Sequence, residues 1–166
     1  MFNIRKATGD DLSAVQQVAQ QSWHYTYRDI IPANLIQRFL DQAYSIPSME
    51  HRLHNTYLYV VEQDDQLVGF SNFSKTNETG MSHLIAIYLL PAYIGQGLGK
   101  SLLQYAMQEE CLQSAKEIEL EVSTENKRAI DFYQSMGFRI IDEYVDLFFD
   151  KKIQTTKMIW TQNQAG

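Results

Sequence analysis

The stretch Leu84-Ile85-Ala86-Ile87-Tyr88-Leu89-Leu90-Pro91-Ala92-Tyr93-Ile94-Gly95-Gln96-Gly97-Leu98-Gly99-Lys100-Ser101-Leu102-Leu103 decides the fold. Its first part is an apolar run rich in Ile and Leu, the composition of a strand covered on both faces. Pro91 has no N–H to donate and ends the ladder. Gly95, Gly97 and Gly99 alternate, so the loop can take positive φ and bring bare backbone close to a ligand. A helix opens directly afterwards. Its first N–H groups have no partner within the helix and point back into the loop. The helix dipole adds partial positive charge there, and Lys100 adds a full one. The arrangement suits a phosphate or pyrophosphate; taken alone, it equally suits a tight turn.

Spacing excludes two common phosphate motifs. A P-loop requires an earlier glycine where Ile94 stands, five residues before Gly99. The dinucleotide fingerprint G-x-G-x-x-G does not fit glycines spaced two and two.

A second block is equally informative: Glu121-Val122-Ser123-Thr124-Glu125-Asn126-Lys127-Arg128-Ala129-Ile130-Asp131-Phe132-Tyr133-Gln134-Ser135-Met136-Gly137-Phe138. It reads as strand, loop, helix, glycine stop and strand. The helix over 126–136 turns Ala129, Ile130, Phe132, Tyr133 and Met136 inward, and Gly137 ends it.

The two blocks together resemble the GNAT N-acetyltransferase superfamily. The first matches that family's acetyl-coenzyme A motif, a strand and proline followed by Gln/Arg-x-x-Gly-x-Gly/Ala opening a helix. The second matches its Asn-x-x-Ala-x-x-Phe-Tyr-x-x-x-Gly-Phe motif, in the expected order and separation. The whole chain is similar to the bacterial spermidine/spermine N-acetyltransferases, loosely so over its N-terminal third. The resemblance implies an α/β (α+β) fold over a single domain, 1–166. Its mixed sheet has about seven mostly antiparallel strands, with a splayed central parallel pair and about four flanking helices. It implies acetyl-CoA as co-substrate and no metal. Backbone amides of Gly95, Gln96, Gly97, Leu98, Gly99 and Lys100 would surround the pyrophosphate. Ile87, Tyr88 and Leu89 would line the pantetheine arm, with the Leu89 N–H facing the developing oxyanion. Asn126 would touch the arm, and Tyr133 would protonate the leaving thiolate. Ile94 departs from the family's Gln or Arg, which puts one side-chain contact in doubt and leaves the backbone cradle intact.

An attacking amine must be neutral, so a base or an ordered water has to take its proton. His83 and Glu121 are the candidates. His83 alternates with Ile85 and Ile87 on one predicted face and titrates in a useful range. Glu121 ends the neighbouring strand, where ribosomal-protein acetyltransferases carry a Glu. Either could instead be structural, leaving water alone.

The remaining pattern supports one α/β unit. Residues 2–6 alternate as a strand. Thr8 and Asp11 mark a helix start, followed by Leu12, Val15, Val18, Ala19 and Trp23 at helical spacing. Trp23 reads as core or groove packing ahead of a substrate contact. Pro32 opens a second helix over 33–43. A third, short one starts at Ser48, with His51 and His54 on a solvated face, since no third metal ligand comes with them. Strands over 57–63 and 66–75 turn at Asp64-Asp65. The helix after the glycine loop runs to Gln113-Ser114. Strands over 138–149 and 153–160 form a last hairpin turning at Asp150-Lys151-Lys152, and the polar tail 161–166 reads as frayed.

Composition bounds the partners. The 166 residues carry a net charge of −6, with 45% hydrophobic and 20% charged residues. That balance lacks the basic footprint of a nucleic-acid binder and is compatible with a cationic substrate. Cys111 is the sole cysteine, so neither a disulfide framework nor a cysteine zinc site is available. No window is apolar enough to span a membrane, and no signal-peptide core is present. A cytoplasmic location is expected, with a small-molecule amine as substrate, no nucleic-acid or membrane partner, and a homodimer as an admissible assembly. Asp29, Asp41 and Glu50 could attract a polyamine, with aromatic faces adding cation–π contact, or be ordinary surface charges. Peptide or protein Nα-acetylation and a non-catalytic acyl-CoA-binding module are the other readings.

Overall fold

The computed structural model describes residues 1–162. These form seven strands and six helices. The strands are β1 (Phe2–Lys6), β2 (Thr56–Gln63), β3 (Gln66–Ser74), β4 (Met81–Leu89), β5 (Glu117–Ser123), β6 (Arg139–Phe148) and β7 (Lys151–Thr161). The helices are α1 (Leu12–Tyr27), α2 (Ala33–Ala43), α3 (Ile46–Asn55), α4 (Leu98–Gln108), α5 (Glu110–Gln113) and α6 (Lys127–Ser135). The strands make one sheet in the order β1-β2-β3-β4-β5-β7-β6. All neighbours are antiparallel except β4 and β5. This is the expected mixed sheet with a central parallel pair.

Turn and cap chemistry explains most boundaries. Asp64 and Asp65 both take positive φ (53° and 63°), as a two-residue hairpin turn requires. The Thr8 N–H donates to Asp11 Oδ2 at 2.7 Å, tying the chain into the 3-10 turn that feeds α1. Arg5 also grips Asp11, and its guanidinium holds that carboxyl below the ordinary range.

Several boundaries differ from the sequence reading. Ser45, not Ser48, caps α3: its hydroxyl accepts the Ser48 N–H, and Pro47 sits in the first turn, where its missing N–H costs nothing. The helix after the glycine loop breaks at Glu109, whose backbone is extended. A carboxylate opposes the dipole at the end of α4 and suits the start of α5. That break splits the single helix expected after the glycine loop into α4 and α5. The last hairpin turns at Phe149-Asp150, with Phe149 at φ 57°. Thr161 still pairs with Glu117, so the strand runs further than expected; the rest of the polar tail, 163–166, lies outside the described residues.

One core runs through the sheet. α1 supplies Val15, Val18 and Ala19, α4 supplies Leu102, Leu103 and Ala106, and the strands supply Tyr59, Phe70, Phe73, Ile118 and Leu120, all essentially inaccessible. Cys111 packs partly buried against this core, with Sγ 3.0 Å from the Tyr59 hydroxyl. Strand β4 is not covered on both faces. Ser82, Leu84 and Ala86 are buried, whereas Ile85 is 41% exposed.

Candidate active site

The site exists because β4 and β5 part company. They pair at Met81–Glu117, Ser82–Ile118 and His83–Glu119, and the ladder stops there. The cause lies on the other side of β4. Phe73 of β3 pairs with Leu84, but the next residue, Asn72, pairs with Ala86. Ile85 is therefore an extra residue, a β-bulge that bends its strand. The bend begins two residues beyond the last β4–β5 pair. The burial alternation runs on across it, with Ser82, Leu84 and Ala86 buried and His83, Ile85 and Ile87 on the more open face, as expected.

Beyond the bulge the backbone of β4 is divided between two neighbours. The Leu90 N–H donates to Val68 O at 2.8 Å, and Tyr88 and Ala86 follow at two-residue steps opposite Phe70 and Asn72. These residues turn their backbone groups to β3, so Leu89 and Ile87 turn theirs away from it. The Leu89 carbonyl is taken by the Ser22 hydroxyl of α1. The Leu89 N–H and both Ile87 groups face the gap.

That gap is a cleft of about 770 Å³. Its walls are 84–89 of β4, 120–122 of β5, the last turn of α1 with the residues after it, and one side of α6. The glycine loop closes one end. Gly95 and Gly97 have φ of 86° and 83°, the left-handed values that glycine takes without a Cβ penalty. Gly97 is the cap residue of α4, so the first N–H groups of that helix are turned to the loop. Lys100 borders the same end, as does Arg128, whose Nη2 would stand 3.6 Å from a Cβ on Gly95. Arg128 was absent from the sequence reading. The available signal was a basic pair, Lys127-Arg128, in the first turn of α6, where the dipole disfavours cations.

Ten of the expected site residues border this cleft: Ile87, Tyr88, Leu89, Gly95, Gly97, Gly99, Lys100, Glu121, Asn126 and Tyr133. Three do not. Gln96 turns its carboxamide back to Ala92 O. Leu98 is buried in the core. His83 lies beyond Glu121, with Nε2 3.9 Å from its Oε1. Asn126 has a structural duty as well, because its side chain accepts the Ala129 N–H at 3.3 Å and caps α6.

Tyr133 is half-buried on α6, between Phe132 and Phe138 (centroids 5.4 and 5.7 Å). Burial, and next the nearby Tyr27, pushes its phenol above the ordinary value, so it keeps its proton at neutral pH. The Tyr27 and Tyr88 hydroxyls lie 3.2 Å apart deeper in the cleft. Trp23 packs on Tyr27, Phe39, Tyr88 and Phe148. These four ring contacts are what packing alone would give.

Glu121 belongs to a second cluster on the outer face of the sheet. His83 Nδ1 is 4.0 Å from Glu119 Oε1, and Lys157 Nζ is 3.7 Å from the same oxygen. The Tyr144 hydroxyl donates to Glu121 Oε2. Of the three acids proposed to attract a cation, only Asp29 borders the cleft. Asp41 accepts from Gln37, and Glu50 lies 3.5 Å from His54. Among the described residues no group of three or more His, Cys, Asp or Glu is placed to hold a metal, and no helix is long and apolar enough to cross a membrane.

Known proteins share this architecture. A spermidine N(1)-acetyltransferase of Thermoplasma acidophilum is 28% identical over 162 residues, 93% of this chain and 99% of its own. The peptidyl-lysine N-acetyltransferase YiaC of Escherichia coli is 30% identical over 147 residues, 84% of each chain. The crystal structure of PaiA N-acetyltransferase from Thermoplasma acidophilum with coenzyme A superposes with a TM-score of 0.86, at 24% identity over 98% of this chain and 99% of that one. At that identity the likeness carries the fold. The model of the acetyltransferase (GNAT) family matches residues 15–138, a span that holds the cleft, the glycine loop and the Tyr133 helix, and the chain belongs to that family.

Proposed function

We propose that this acetyltransferase moves the acetyl group of acetyl-CoA directly to the primary amine of a small cationic molecule, with polyamines as the leading class. The observation that carries the mechanism is that Tyr133 and Glu121 border one cleft from two different elements. The amides at the start of α4, with Lys100 and Arg128 beside them, would hold the pyrophosphate. The free backbone groups of Ile87 and Leu89 would grip the pantetheine arm. On the acceptor side Glu121 takes the proton of the ammonium, and the neutral amine attacks the acetyl carbonyl. The C–N bond forms, the C–S bond breaks, and Tyr133 gives its proton to the sulfur. The Leu89 N–H faces the oxyanion. The second proton shed by the nitrogen as the amide forms restores Tyr133, and the proton on Glu121 passes to solvent, so the products are an amide, a free thiol and one released proton. Glu121 is the better base of the two candidates because it borders the cleft, whereas His83 stands behind it.

Support for a cationic substrate comes from the face around Glu121. Glu119 lies two residues from it on β5, and Asp142 and Asp146 act on its partner Tyr144. The spermidine acetyltransferase relative points the same way. The peptidyl-lysine relative supports a second reading, in which the amine belongs to a peptide. The non-catalytic reading is set aside, since the family and its named relatives are acetyltransferases.

Thiol release from acetyl-CoA, measured across spermidine, spermine, N-terminal peptides and lysine peptides, tests the assignment. The expected result is the highest kcat/KM on a polyamine. A peptide that outperforms every polyamine would replace the small-molecule reading with the second one.

A further inference from the structure

Strand β6 is the outer edge of the sheet, and from Arg139 to Leu147 each of its residues is exposed except Tyr144. An edge residue gains little burial from its own strand, so a single inward-turned tyrosine needs a specific partner. Tyr144 reaches across β7, where Thr155 stands opposite it and Lys157 stands opposite Glu121. Its hydroxyl donates to Glu121 Oε2. The other carboxylate oxygen, Oε1, faces His83 Nε2 at 3.9 Å. Glu121 is thereby held by one oxygen and left open at the other.

We infer that Tyr144 is a positioning residue for the acetyl transfer, fixing the Glu121 carboxylate so that its free oxygen meets the acceptor amine. The inference rests on the reading of Glu121 as the base. Burial first, then the bond to Glu121, keeps the Tyr144 phenol protonated well above neutrality, so it remains a donor throughout the working range. The groups facing this pair come from four strands. His83 comes from β4, Glu119 from β5, Asp142 and Asp146 from β6, and Lys157 from β7, with its Nζ 6.0 Å from the Tyr144 ring centre.

The experiment compares Tyr144→Phe, Glu121→Gln and the double variant with the wild type in thiol release, using spermidine or whichever amine is turned over best. Tyr144→Phe keeps the ring and its packing. The expected result is a kcat/KM for the amine about tenfold lower near neutral pH. The loss should fall on kcat, with the KM for the amine little changed. Coenzyme A affinity should stay unchanged, and the double variant should be no slower than Glu121→Gln alone. If Tyr144→Phe leaves kcat unchanged, or its loss adds to that of Glu121→Gln, Tyr144 serves only hairpin packing and the inference fails. If Glu121→Gln keeps the wild-type kcat, Glu121 is not the base, and the inference falls with that reading.

Discussion

Tyr133, proposed as the acid, is kept protonated by its surroundings. Burial first, then the nearby Tyr27, hold its proton in place at neutral pH, where the departing thiolate would meet it. Tyr133→Phe removes the proton and keeps the ring against Phe132 and Phe138. It should lower kcat by about a hundredfold while coenzyme A binds as before, measured by thiol release and titration calorimetry. An unchanged kcat would take Tyr133 out of the reaction. This residue was legible in the sequence because its role is carried by a local motif: Asn126 caps the helix and Tyr133 lies two turns further on the inner face. Tyr144 was not legible. Its contact with Glu121 depends on two registers, β5 against β7 and β7 against β6, which no local pattern encodes. Arg128 falls between these cases, visible as an ill-placed cation in a first turn but without a partner until the glycine loop is folded against it.

At the scale of an element, β4 is the part whose sequence promised one thing and whose structure delivers another. Its apolar run suggested cover on both faces. Instead, the extra residue Ile85 bends it away from β5, and the apolar side chains line a ligand cleft. A bulge is a property of the pairing with Asn72 and Phe73 of β3, so an unpaired reading of β4 cannot place it. The opposite edge of β4 is held close by Gly69. A Cβ there would come 2.4 Å from Leu89 Cδ2 and 2.9 Å from the Tyr88 carbonyl oxygen. The second contact is with backbone, so β4 itself must move. Gly69→Ala should cost roughly 1–3 kcal/mol in denaturant unfolding and weaken coenzyme A binding, because Ile87 and Leu89 shift with the strand. Lost stability with undiminished affinity would show that the position of β4 is not what holds the arm.

For the whole molecule, the fold class was readable because two motifs bracket the seam between the halves of the sheet, one on each side. The acceptor was not, since the surfaces proposed to meet it are assembled from separate elements, α1, β5 and the last hairpin. The seam itself is thin, three residue pairs between β4 and β5, and the cleft opens directly above it. A ligand seated there joins the two halves and binds only the folded state. Coenzyme A at a hundred times its Kd should therefore add about 2.7 kcal/mol of stability. For a chain of this size that corresponds to a rise in Tm of about 5–11 °C, at roughly 2–4 °C per kcal/mol. Hydrogen exchange localises the effect. The Tyr88 amide, turned to β3, should be slow with or without ligand, whereas the Ile87 and Leu89 amides should exchange quickly until coenzyme A is added and slow sharply afterwards. A rise in Tm with no new protection at Ile87 or Leu89 would mean that coenzyme A binds without its arm entering the gap, and the role assigned to the bulge at Ile85 would have to be given up.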